Sequence, residues 1–136
     1  MKSMNAYLIF EGNCRQAMEF YKQSFGGEFS MMSYAQAPGC GNMDSKYKDW
    51  VIHARITHKN FVLMASDTRP GMPVTRGNGF HISVDCENLE EIERLYKALS
   101  DKGEIFMPLG ETFFAQRFAM LTDQFGTKWM LNLEKK

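Results

Sequence analysis

The chain is written on an internal repeat, and a repeat constrains the fold more than composition does. With Asn13 placed on Asn88, Tyr21 falls on Tyr96 and Lys22 on Lys97. After a one-residue insertion, Gly27-Glu28-Phe29 falls on Gly103-Glu104-Ile105. The two copies begin a little over half the chain apart, and the identities sit at equivalent places in equivalent elements.

Residues 13–25 carry Ala17, Met18, Tyr21 and Phe25 at helical spacing, from Asn13 as N-cap to a stop at Gly26 and Gly27. Residues 88–100 carry Leu89, Ile92, Leu95, Tyr96 and Leu99 on one face, with Asn88 as N-cap, Glu91 at the third helical position and Gly103 beyond the end. A strand-like run precedes each helix, at residues 5–10 and 80–85. Three more follow: 28–34, 49–57 and 61–66 in the first half, 104–108, 115–122 and 128–134 in the second. The tight turn His58-Lys59-Asn60 predicts a hairpin between the last two strands of the first half, and residues 123–127 form the matching turn in the second. Residues 67–78 hold two prolines and two glycines and read as a linker; residues 35–46 read as a Gly-rich, mobile loop.

The fold class that follows is α+β, strand-helix-three strands written twice. It makes one domain over residues 1–136, with module 1 at about 1–67, the linker at about 67–78 and module 2 at about 79–136. One helix covers one face of a four-stranded sheet, so the other face packs on the second sheet or encloses something. A cavity between the sheets is the expectation.

Composition narrows the function classes. With 16 Lys+Arg against 16 Asp+Glu the net charge is zero, and the one adjacent basic pair, Lys135 and Lys136, follows Glu134. Nucleic-acid binding by counterion release needs clustered cations, so no nucleic-acid partner is expected. The apolar run at residues 7–10 is too short for a signal peptide core or a membrane span, and no membrane partner is expected. Cys14, Cys40 and Cys86 are odd in number and far apart, without a CxxC pair. They read as free thiols in the cytoplasm.

The opening Tyr7-Leu8-Ile9-Phe10-Glu11-Gly12-Asn13-Cys14, with Ala17, Phe20-Tyr21 and Phe25-Gly26-Gly27, resembles the start of PhnB-like proteins. These are a branch of the vicinal oxygen chelate superfamily, which also holds glyoxalase I, bleomycin-resistance proteins and extradiol dioxygenases. His53-Ala54, Met64-Ala65-Ser66-Asp67, residues 111–115, Thr122-Asp123-Gln124-Phe125-Gly126 and Trp129-Met130-Leu131-Asn132 are similar to the rest of that branch. The resemblance implies two βαβββ modules forming a cupped mixed sheet around a central pocket, commonly in a homodimer. It implies either a small-molecule binder of the bleomycin-resistance kind or a metal-dependent lyase, isomerase or dioxygenase. A demethylubiquinone methyltransferase label also attaches to this branch. No Gly-rich strand-to-helix turn of the dinucleotide or adenosylmethionine kind is present to support it.

In the catalytic members a divalent metal is held by His, Glu or Gln on the first and last strands of each module. The positions that match here are Asn5 or Tyr7, Met64 or its neighbours Val62 and Leu63, Gly79 or His81, and Met130. His81 is thus the one strong donor at a family ligand position, and thioethers suit hard divalent ions poorly. No metal site is predicted, and a divalent metal is the one cofactor that the resemblance leaves open. His81 is expected to face the pocket while Phe80, Ile82 and Val84 pack under the second helix. Two readings of it stand, a ligand or general base and a pocket histidine satisfied by one hydrogen bond. His53 shares a strand face with Val51, Arg55 and Thr57, turned to the pocket or to a dimer interface; His58, in the hairpin turn, reads as solvated. Glu111, beside Phe113 and Phe114, is either an acid or base among aromatics or a loop carboxylate capping backbone amides. His53, His81 and Glu111 are the catalytic candidates, and Tyr7, Met64, His81, Phe113, Met130 and Asn132 the pocket candidates. The 11 methionines and 11 phenylalanines fit an adaptable apolar pocket, although ordinary core is the commoner use of such residues.

Overall fold

The computed structural model describes residues 1–39 and 44–136. Cys40 and the centre of the loop at 35–46 lie outside the described residues, and with them the reading of Cys40 as a free thiol. The chain divides into two compact units, Met1–Thr75 and Arg76–Lys136.

The first unit runs β1 (Ala6–Phe10), α1 (Cys14–Phe25), β2 (Glu28–Ser33), β3 (Val51–Thr57) and β4 (Val62–Asp67), with 3₁₀ turns at Tyr34–Gln36 and Ser45–Tyr47 between β2 and β3. Its sheet has the order β1-β4-β3-β2, with β1 parallel to β4 and the other pairs antiparallel. The second unit runs β5 (Ile82–Asp85), α2 (Leu89–Ser100), β6 (Glu104–Gly110), β7 (Ala115–Thr122) and β8 (Lys128–Glu134). Its order, β5-β8-β7-β6, repeats the plan with β5 parallel to β8. The repeat read in the sequence is therefore a repeat of mixed four-stranded sheets, each with one helix.

Period-two and period-3.6 patterns meet where helix lies on sheet. In the first unit α1 packs on β3 and β4, and Ala17, Met18 and Tyr21 are fully buried with Ala54, Ile56 and Ala65. In the second, Ile92, Leu95 and Leu99 of α2 are buried with Ala119, Leu121, Trp129 and Leu131. Burying each large side chain of these layers stabilises by roughly 1.5–3 kcal/mol relative to exposure.

Several expectations need correction. Asp67, read as the first linker residue, is the last residue of β4 and is buried. Its Oδ1 accepts the backbone N–H groups of Gly12 at 2.8 Å and Cys14 at 3.0 Å, and its Oδ2 accepts that of Val51 at 2.8 Å. Val51 does not share the face of His53. Met32 pairs with His53 but Ser33 pairs with Val51, so Ile52 is an extra residue that reverses the phase of the strand and buries Val51. Phe80 and His81 precede β5, whose pairing begins at Ile82 opposite Trp129. Phe80 is 90% exposed and does not pack under α2. His58 is more than a solvated turn residue: its Nδ1 accepts the Asn60 N–H at 3.1 Å and its ring stacks on Phe61. Among the described methionines Met18 alone is buried in the core, and the others are half-buried or exposed.

Candidate functional site

Each sheet has one face under its helix and one turned away from it, and alternation assigns the side chains. On the helix-free face of the first sheet, Tyr7, Met64, Arg55 and Ser30 form one cross-strand row. Ile9 on β1 and His53 opposite Met32 lie on the same face. The Tyr7 hydroxyl and His53 Nδ1 are 3.2 Å apart, with ring centroids at 5.8 Å. Tyr7 is 45% exposed, so the pair is reachable from outside the protein. Arg55 holds its Nε on Thr57 Oγ1 at 3.2 Å, while its Nη1 makes only a weak contact with Met64 Sδ at 4.0 Å. Tyr7, His53 and Met64 are thus brought together by three strands. Arg55, two residues beyond His53 in the same phase, was in plain view as a member of that face yet was not among the candidates.

On the helix-free face of the second sheet, Ser83, Met130, Met120 and Met107 form a row of three thioethers and a hydroxyl. The next row holds Asp85, Asn132 and Phe118. Asn132 Nδ2 donates to Asp85 Oδ1 at 3.1 Å, while Asn132 Oδ1 is buried without a hydrogen-bond partner among the described residues. Trp129, one residue from Met130, points the other way: it is 2% exposed and its Nε1 donates to Asp123 Oδ2 at 2.8 Å. Asp85, Met107 and Met120 were missed, because their place beside Met130 and Asn132 depends on the register between strands.

The other candidates stand apart. His81 is exposed ahead of β5. Glu111 follows β6 and faces Lys135 at 3.8 Å; with the two side chains 68% and 46% exposed, it is not buried among aromatics, and it caps no backbone amide among the described residues. Phe113 is 93% exposed and meets Phe114 edge-on, and Phe114 in turn meets Phe118. A cleft of about 810 Å³ in the second unit is lined by Asp85, Cys86, Asn88, Glu90, Gln116 and Lys135 among others, and by none of the expected site residues.

The donor set does not fit a hard divalent ion. Asn5 donates its Nδ2 to Ser3 Oγ, Tyr7 is bonded to His53, and Met64 and Met130 offer thioethers. Among the described residues no group of three or more His, Cys, Asp or Glu is placed to hold a metal. The described thiols are no better as ligands. Burial first, and the Asp67 charge second, push Cys14 up to about 12; burial, then Glu91 and Asp85, push Cys86 up to about 12 against the lowering effect of Arg94. Both are buried and free.

Residues 3–131 match the model of the Glyoxalase/Bleomycin resistance protein/Dioxygenase superfamily. Protein YjdN of Escherichia coli (strain K12) is 32% identical over 142 residues, covering 98% of this chain and 96% of its own. Protein PA1353 from Pseudomonas aeruginosa is 40% identical with a TM-score of 0.90, covering all of both chains. The PhnB protein from Bacillus cereus is 29% identical with a TM-score of 0.77, over 97% of this chain and 99% of that one. Among the described residues, no helix is long and apolar enough to cross a membrane.

Proposed function

Because the chain belongs to the glyoxalase/bleomycin resistance protein/dioxygenase superfamily, we propose that it is a PhnB-like binder of a small organic molecule, which lies against the helix-free face of its first sheet. The observation that carries this reading is the Tyr7–His53 pair, bonded at 3.2 Å on a face that also presents Ile9, Met32 and Met64. Apolar walls with a few fixed polar groups are what small-molecule sites are made of, and methionines let such a wall adapt to its ligand. No metal-dependent step is assigned, since, His81 apart, thioethers and an engaged phenol stand at the positions that match the ligands of the catalytic relatives. Methyl transfer is equally unsupported. The amides of Gly12 and Cys14 at the entry to α1 are taken by Asp67 and that of Glu91 in α2 by Asn88, so these donors are not open to an anionic cofactor.

The same reading places the protein in the cytoplasm, where Cys14 and Cys86 stay reduced, and in a homodimer, as the family resemblance implies. A thermal-shift screen across neutral, cationic and anionic aromatic and aliphatic compounds tests the binder. At least one class should raise the melting temperature, and Tyr7→Ala and Met64→Ala should weaken that effect. A screen in which no class stabilises the protein, or in which both variants respond like the parent, sinks the reading. Light scattering tests the dimer, which should show twice the 15.7 kDa of one chain; a monomer across micromolar concentrations refutes it.

A further inference from the structure

We infer that the helix-free face of the first sheet selects an oxyanion, a carboxylate, phosphonate or phosphate, carried on an apolar body. This deepens the binder reading and rests on it. Arg55 lies on β3, an interior strand of the sheet, with Met64 beside it on β4 and Ser30 on β2. No carboxylate lies within 4.0 Å of its guanidinium among the described residues. Glu28 is the carboxylate of the same face, diagonal to Arg55 on the edge strand opposite Thr57, and it forms no ion pair with it. Among the described residues, no carboxylate therefore pairs with this cation in the middle of a face lined by Ile9, Met32 and Met64.

The geometry also prepares the donors. Thr57 Oγ1 accepts from Arg55 Nε and orients the guanidinium, and the Nη2 N–H groups have no acceptor among the described residues. Planar N–H pairs of this kind match the paired oxygens of carboxylates and phosphonates. The Tyr7 hydroxyl and His53 Nδ1 share a hydrogen bond, which fixes the imidazole; in the tautomer where Nδ1 accepts, Nε2 is a second donor. His53 and Arg55 are two residues apart in one strand, so their side chains leave the same face roughly 7 Å apart. Arg55 Nε is drawn toward Thr57, away from His53, so Arg55 carries the head group and His53 lies farther along the same face. The row of Tyr7 and Met64, with Ile9 and Met32 beside it, supplies the apolar wall for the body.

The test is calorimetric titration of the intact protein with phenylphosphonate, benzoate, benzyl alcohol, benzylamine and inorganic phosphate. Phenylphosphonate and benzoate should bind more tightly than benzyl alcohol or inorganic phosphate, and benzylamine should not bind. Arg55→Gln should weaken phenylphosphonate by about tenfold or more, Arg55→Lys should restore part of the loss, and raised salt should weaken the parent more than Arg55→Gln. Because Arg55 is exposed, the melting temperature of both variants should match the parent. Failure of every oxyanion probe, equal binding of benzylamine, or an affinity for phenylphosphonate that ignores Arg55→Gln would overturn the inference. Binding of benzyl alcohol that needs Tyr7 but not Arg55 would overturn it too, while leaving the small-molecule binder standing.

Discussion

The two units solve one problem, the unsatisfied N–H groups at a helix start, in different ways. In the second unit the solution is local. The Asn88 side chain accepts from Glu91 N at 2.8 Å, and Glu91 Oε1 accepts from Glu87 N at 2.9 Å. In the first unit Asn13, which falls on Asn88 in the repeat, makes no side-chain cap bond at all. Its work is done by Asp67, whose carboxylate reaches across from β4 to Gly12 and Cys14 and ties in Val51 of β3 as well. Gly12 makes this approach at φ 93, with the Trp50 ring 2.9 Å from where a Cβ would sit. A local cap can be lost cheaply, because water reaches the freed groups. A buried carboxylate that joins a helix start to two strands cannot.

The largest effect that follows is at Asp67. Asp67→Ala would leave three backbone donors without their acceptor in the interior, and should cost about 3–5 kcal/mol in urea or guanidinium unfolding. Asp67→Asn, which keeps the shape but turns an N–H₂ toward backbone N–H groups, should recover little of it. A loss below about 1 kcal/mol for Asp67→Ala would mean that the carboxylate is a bystander and that the two helix starts do not differ in kind.

Cys14 sharpens the same contrast through pH. A cysteine in the first turn of a helix ordinarily ionises more easily, but here the amides point at Asp67 and the thiol is buried and pushed up to about 12. The unfolded thiol ionises near its ordinary value of 9.0, so between there and 12 the native state holds the extra proton. Stability contributed by the neutral thiol is complete below pH 9 and is lost as pH rises toward 12, at about 1 kcal/mol per pH unit. Chemical denaturation at pH 8, 9 and 10 should show this fall in the parent and a shallower one in Cys14→Ala. Parallel slopes would show that the thiol is not protected in the way described.

What could be read from the sequence was whatever repeats within a few residues. The periods of Ala17, Met18 and Tyr21 and of Ile92, Leu95 and Leu99 marked both helices, and the doubling marked the two units. Asp67 was illegible because its partners lie far off in the chain and no local pattern distinguishes it from a linker residue. Val51 was assigned to the wrong face because a bulge at Ile52 reverses alternation, and only pairing with β2 reveals a bulge. Of the site, the family resemblance named Tyr7 and Met64 as pocket residues and left His53 between pocket and dimer interface, because the grouping of the three depends on strand order. The placing of Met130, Met120 and Met107 in one row depends on register, which nothing in the sequence fixes. Composition misled at the methionines, since a count cannot tell the helix side of a strand from the other.

The smallest effects give the most direct comparison, because they concern one residue type at two equivalent positions. Asn88→Ala removes the acceptor for Glu91 N and should cost about 1 kcal/mol, the usual worth of a side-chain cap. Asn13→Ala removes nothing that caps α1 and should fall within about 0.5 kcal/mol of the parent, the range of an ordinary surface change. Both can be measured as midpoint shifts in urea at constant slope. The pair also tests independence: combined with Asp67→Asn, the cost of Asn88→Ala should be additive, because its cap is closed within the second unit's own sequence. An Asn13→Ala cost equal to that of Asn88→Ala would mean that Asn13 caps α1 in solution. The helix start of the first unit would then be served locally after all, with Asp67 acting on β3 alone.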